Sequence, residues 1–198
     1  MPADPTTVTL RRDAQRNRQC LLDVADQAFG KHGVQASLDE VARRAGVGIG
    51  TLYRHFPTRE ALVEALVAAD LERVAALADG LAGDTLAGID GWLAELADHS
   101  VTYRGLAEAL VTATGTSSAL GDACTRLHDA GRELVRRAQR HGVVRDDADP
   151  SDAVDLASSI AWLTERDADT ERRQRLLRAA VDGLRTTGTD ELHARDQS

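Results

Sequence analysis

Aromatic residues make up only 3% of this 198-residue chain. With two Phe, two Tyr and two Trp, its core has to be built from Leu, Val and Ala. That favours helices, because strands draw on β-branched and aromatic side chains, and no alternating strand-like run is present. Cysteine is nearly absent as well. Cys20 and Cys124 lie far apart and fit no C-x-x-C spacing, so they read as two buried or half-buried thiols, with a redox sensor as the alternative. No apolar run reaches the ~18 residues that a membrane span needs. The opening residues, MPADPTTVTLRRD, lack the hydrophobic core of a secretion signal. The expectation is a cytoplasmic protein with reduced thiols and no membrane partner. Catalytic patterns are missing too. There is no Ser/His/Asp spacing, paired acid motif, H-E-x-x-H or phosphate loop, and no dense His/Cys cluster with ligand spacing. A non-enzyme without cofactor or metal is expected.

Positive charge is also scarce overall, with a net charge of −8. Its distribution is uneven. Up to Phe56 there are eight bases, Arg11, Arg12, Arg16, Arg18, Lys31, Arg43, Arg44 and Arg54, against six acids. The remainder holds 16 bases against 26 acids. A mildly basic head on an acidic body suits local, oriented contact with a polyanion and disfavours non-specific coating.

What is present is organised around residues 37–59, SLDEVARRAGVGIGTLYRHFPTR. Ser37 and Glu40 have the S-x-x-E spacing of a reciprocal capping box. Leu38, Val41, Ala42 and Ala45 mark one helical face, and Gly46 sits where the helix must stop. A second helix over 48–56 turns Leu52 and Phe56 inward, four residues apart. Pro57 ends it, and Thr58 can cap the next. Two helices joined by a short Gly-containing turn are the helix-turn-helix pattern, whose second helix enters the DNA major groove while the first crosses the backbone. An ordinary helical hairpin has the same outline.

The residues AGVGIGTLYRHFPTREAL decide between the two. They resemble the signature of the TetR family of transcriptional regulators: Ala-Gly-Val, two variable residues, Gly-Thr-Leu-Tyr, two residues around a His or Tyr, then Phe and a capped helix. The match covers about 21–66; beyond it only helical pattern and length resemble the family. Two departures stand out. Gly48 takes a place where the family often has Ser or another capping residue, and Ile49 replaces a frequently polar base reader.

The expected fold class is all-α: an N-terminal three-helix helix-turn-helix DNA-binding domain over 1–57 and a C-terminal helical bundle over 58–198, with about nine helices in total. Residues 1–10 are expected to be a disordered tail and 186–198 to be frayed. Arg11 and Arg12 serve either as a basic arm or as a solvated pair. Helix 1 is expected over 12–32, where Leu21, Val24, Ala25, Ala28 and Phe29 form an amphipathic stripe ended by Gly33. Helix 4, over 58–81, is a rod of roughly 24 residues and about 36 Å, long enough to link head and body as a lever. Helices are further expected over 86–102, 106–113, 118–141, 151–166 and 170–185, with loops at 112–118 and 146–150.

On the second helix of the motif, Ile49, Gly50, Thr51, Tyr53 and Arg54 are left outward. Arg54 can pair with guanine O6 and N7 or clamp a phosphate, and Thr51 or Ile49 can touch a base edge or thymine methyl. Family resemblance implies phosphate hydrogen bonds from Tyr53 and His55, with half-buried packing as the lesser alternative for both. Ser37, Thr58 and Arg59 stand at helix N-termini, where anions are stabilised. Arg43 and Arg44 are further candidates, one of them a plain solvated charge.

Ala153, Ala157 and Ala161 recur every four residues beside Leu156 and Ile160. Leu176, Leu177, Ala180, Val181 and Leu184 make a matching stripe. Paired with their copies, these would form a homodimer interface of Ala153, Ala157, Ile160, Leu177, Val181 and Leu184, as in the family; otherwise they close the monomer core. The resemblance also implies a small-molecule effector pocket within helices 4 to 7. Its candidate lining is Leu66, Trp92, Leu96, Tyr103, Leu106, Leu110, Cys124 and Leu127, with His99 and His128 able to hydrogen-bond a ligand; Trp92 and Tyr103 read first as plain core and second as ligand contacts. The expected function is a repressor that binds a palindromic double-stranded operator as a dimer and is released by an effector. The alternative is a constitutive DNA-binding protein without effector.

Overall fold

The computed structural model describes the backbone of residues 5–32, 35–111, 118–164 and 169–186, and the side chains of 13–32, 35–98, 119–164 and 169–186. These residues form eight helices: α1 Pro5–His32, α2 Leu38–Arg44, α3 Ile49–His55, α4 Arg59–Gly80, α5 Leu86–Val111, α6 Ser118–Arg140, α7 Pro150–Thr164 and α8 Thr170–Leu184. No β-strand occurs among the described residues. An isolated antiparallel bridge ties Val144 to Arg185.

The all-α class holds, and two elements differ from expectation. The fifth and sixth expected helices are one, α5, so the described residues hold eight helices where about nine were expected. Gly105 lies inside α5; a helical Gly costs about 1 kcal/mol relative to Ala, a penalty the rest of a 26-residue helix can absorb. Helix α1 starts at Pro5 instead of residue 12, so 5–10 are helical and not a tail. Proline suits a first helical position because the amide it lacks has no partner there anyway. The expected stop at Gly33, the loop at 112–117 and the fraying of 187–198 lie outside the described residues.

The chain parts into two compact units, Met1–Ala69 with Gly105–Leu120, and Asp70–Arg104 with Gly121–Ser198. The sequence placed a boundary at 57/58; the units part inside α4, after Ala69. In the first unit, α1 buries Leu21, Ala25 and Phe29, α2 buries Val41 and Ala42, α3 buries Leu52, and α4 adds Leu62 and Leu66. Each fully buried Leu or Val contributes about 1.5–3 kcal/mol of transfer free energy.

The second unit closes around Trp92. Its indole N–H donates to the carbonyl of Val74 at 2.8 Å. The ring lies so close to Gly131 of α6 that a Cβ there would stand 2.5 Å from Trp92 Cη2 and 2.7 Å from Val154 Cγ2. Only glycine admits this approach. Arg173 of α8, 7% exposed, reaches Asp98 of α5 at 2.6 Å.

The proposed dimer stripe falls in this same core. Ala153, Ala157, Leu177, Val181 and Leu184 are buried within the single chain, and Ile160 is half-buried. α7 and α8 turn these residues toward their own unit, as in the reading where the stripes close the monomer core. What α7 turns outward is Leu156, Trp162 and Leu163, at 43%, 65% and 48% exposure.

Candidate nucleic-acid interface

Helix α2 is fixed at both ends by its own sequence. The Glu40 amide donates to the Ser37 hydroxyl at 3.3 Å. The expected return bond is not made. The Glu40 carboxylate instead takes both Nε and Nη2 of Arg43, at 2.8 and 2.6 Å, and Arg43 holds the Glu40 carboxyl below its ordinary range. At the other end Gly46 has φ +71°. Its amide donates to Arg43 O at 3.2 Å and the Val47 amide to Ala42 O at 3.0 Å, the paired bonds of a Schellman turn. A residue with a Cβ is strained at that φ. The turn aims the chain into α3.

Helix α3 has three faces. Leu52 is fully buried, as is Phe56 at the C-cap. Thr51 and His55, four apart, are half-buried along the flank. Ile49 with Tyr53, and Gly50 with Arg54, make two adjacent exposed rows. A Cβ at Gly50 would meet nothing within 4 Å, so the backbone there lies open. Arg54 makes no hydrogen bond or ion pair with any described residue. Gly48 caps α3 without a side-chain bond, as its departure from the signature implied.

Two expected contact residues are engaged inside the protein. Arg59 donates to Ala36 O at 2.7 Å, and its guanidinium lies 6.0 Å from the centre of the Phe29 ring. Arg44 donates to Gln27 Oε1 at 2.9 Å while staying exposed. Thr58 is exposed, and its hydroxyl accepts from the Ala61 amide at 3.1 Å. Sequence reading gave no role to Arg18, which lies 5.2 Å from the centre of the Phe56 ring. No motif signals that pair, because the partners are far apart in the chain.

The effector candidates are described in part. Trp92, Leu96 and Leu127 are core residues of the second unit, and Leu66 is core in the first. Cys124 is exposed. The side chains of His99, Tyr103, Leu106 and Leu110 lie outside the described residues. Desolvation pushes the Cys124 thiol up, away from the reactive thiolate. Cys20 points its sulfur at Ala45 O, 3.7 Å away. Among the described residues no group of three His, Cys, Asp or Glu could hold a metal, and no helix is long and apolar enough to cross a membrane.

A family model described as bacterial regulatory proteins, tetR family, matches residues 21–66. A second, described as the C-terminal domain of SbtR-like transcriptional regulators, matches residues 83–186. Among solved structures, the chain is similar to a TetR transcriptional regulator from Streptomyces coelicolor: 32% identity, TM-score 0.72, covering 86% of this chain and 99% of that one. It is likewise similar to a TetR transcription regulatory protein from Mycobacterium vanbaalenii, at 34% identity and TM-score 0.69, covering 89% and 99%. An HTH-type transcriptional regulator of Staphylococcus aureus is 38% identical over 64 residues, 32% of this chain. The chain spans 35% of the length of that curated relative.

Proposed function

The chain belongs to the TetR family of transcriptional regulators and carries its DNA-binding helix-turn-helix, and from that premise we propose that it is a ligand-responsive repressor acting as a homodimer in the cytoplasm. The first unit reads DNA. The second carries the dimer contact and answers to a small-molecule effector. The observation that supports this best is α3, which buries Leu52 and Phe56 and turns Ile49, Gly50, Tyr53 and Arg54 outward. Arg54 takes guanine or a phosphate. Ile49 and Thr51 touch base edges or methyl groups, and Tyr53, His55, Ser37, Thr58 and Arg44 bind phosphates.

A twofold axis is needed for two such helices to read one palindrome. The outward residues of α7, Leu156, Trp162 and Leu163, replace the buried stripe as the contact between copies. Effector binding to a body with a tilted α4 would separate the heads and weaken DNA binding. Such coupling is typically about 1–3 kcal/mol.

Selection of bound sequences from a random DNA pool tests the reading. The expected product is an inverted repeat whose half-sites lie about 34–36 Å apart, or a multiple of that. Enrichment of a single half-site, or of nothing, overturns it.

One observation favours the second reading, a constitutive regulator with no effector. Trp92, Leu96 and Leu127 pack as core. A thermal-shift screen over lipophilic and cationic compounds separates the two: a stabiliser that also releases DNA supports the repressor, and none across the library supports the constitutive form.

A further inference from the structure

Arg59 is the first residue of α4, where a cation opposes the helix dipole instead of complementing it. Its contacts with two residues help to hold it there. One guanidinium nitrogen donates to the carbonyl of Ala36 at 2.7 Å, and the group lies 6.0 Å from the centre of the Phe29 ring. Ala36 and Phe29 are both buried, at 4% and 5% exposure. Ala36 directly precedes Ser37, the cap of α2, and Phe29 lies in the last turn of α1. One side chain thus joins the start of α4 to the end of α1 and the entrance of α2. Arg18 makes a related fastening, from α1 onto Phe56 at the end of α3. The chain has two phenylalanines, and each is covered by an arginine.

We propose that Arg59 is a positioning residue of the DNA-binding unit: it clamps α4 to the carbonyl that leads into α2, and so sets how α2 and α3 meet DNA, without neutralising a phosphate. The inference rests on the DNA-binding reading above. A planar guanidinium can hydrogen-bond a carbonyl through its edge and lie on a ring through its face; a lysine ammonium cannot do both. Once committed inward, the group is not aimed at the phosphate backbone.

Salt dependence separates a clamp from a phosphate contact. Each phosphate contact contributes about 0.9 to the slope of log K against log salt. The probes are a fluorescein-labelled random-sequence duplex and the selected operator, titrated over a range of KCl by anisotropy. Arg59→Met should weaken operator binding about tenfold at every salt, as expected if only about a tenth of the molecules then hold α2 and α3 in the binding geometry, and leave the slope unchanged. Arg59→Gln has no charge but can still donate to the Ala36 carbonyl, and should recover part of the loss. A slope shallower by about 0.9 in either variant overturns the clamp, as does an unchanged affinity in Arg59→Met. Where Arg59→Met fails to fold, Arg59→Gln decides: near wild-type affinity and slope support the clamp, a shallower slope overturns it. If the wild-type chain binds neither duplex, the DNA-binding reading itself falls. Amide exchange over residues 38–55 then decides the clamp: faster exchange in Arg59→Met supports it, unchanged protection overturns it.

Discussion

The two units differ in how far their arginines are paired with acids. In the second, Arg73 meets Asp70 and Glu95 at 2.6 and 2.7 Å, Arg140 meets Glu133 at 2.9 Å, Arg173 meets Asp98 at 2.6 Å, and Arg126 pairs with Asp79. In the first, Arg43 and Arg16 have acidic neighbours within their own helices. Arg18, Arg44 and Arg54, in contrast, have no carboxylate partner among the described residues. Arg18 lies on an aromatic ring, Arg44 binds a neutral amide, and Arg54 stands open. Exposed ion pairs contribute only about 0–1 kcal/mol each, so their larger effect in the second unit is to cancel the local field. A chain of net charge −8 can therefore present an unscreened cation on α3. Net charge describes the whole; the pairing of each cation decides what a polyanion meets.

The largest effect should separate the two faces of the second unit. Leu163→Arg, on the outward side of α7, should convert dimer to monomer in light scattering with little change in melting temperature. Leu177→Arg should instead prevent folding, because position 177 is 2% exposed within the single chain and a buried unpaired cation is costly. A Leu163→Arg protein that stays dimeric places the interface elsewhere. Next comes Gly131→Ala. The added Cβ meets a rigid ring at 2.5 Å, and overpacking of that kind costs about 1–3 kcal/mol, or roughly 2–4 °C per kcal/mol for a chain of this size. An unchanged melting curve would mean that Trp92 has room to move, and the second unit would then hold space for a ligand after all.

Arg54→Ala should lose about 1–3 kcal/mol of operator affinity without altering the melt, while Arg126→Ala leaves binding as it was. Equal losses from both would dissolve the contrast between open and paired arginines. The smallest effects lie at the helix caps. Ser37→Ala should lower stability by about 1 kcal/mol, measured by denaturant titration. Gly48→Ser should raise it by a few tenths of that, since φ −74° and ψ 151° suit serine and a Cβ there meets nothing.

The helix-turn-helix was legible because its determinants are local. Ser37, Gly46, Leu52 and Thr58 each act within a few residues, and the structure uses each as its chemistry suggests. The second unit was less legible. Periodicity identified an apolar face at Ala153, Ala157 and Leu177 but could not say what covers it; the chain itself does. Rarity singles out Trp92, for which plain core is the first reading and ligand contact the second; its ring is buried and its N–H donates to Val74 O. The role of Arg59 depends on a carbonyl 23 positions earlier, which no motif announces. The run of α5 through Gly105 shows that one residue's weak helix preference does not mark a helix end.

The two tryptophans stand at opposite extremes, 3% exposed for Trp92 and 65% for Trp162, and residues 1–69 contain none. Fluorescence of the unlabelled protein is therefore already divided into two channels. Iodide should quench Trp162 and spare Trp92, so a blue shift with loss of quenching reports that the outer side of α7 has been covered. A change in the unquenched remainder reports the interior instead. No tryptophan lies on α3, so contact with DNA there reaches the optical signal only through a change transmitted to the second unit.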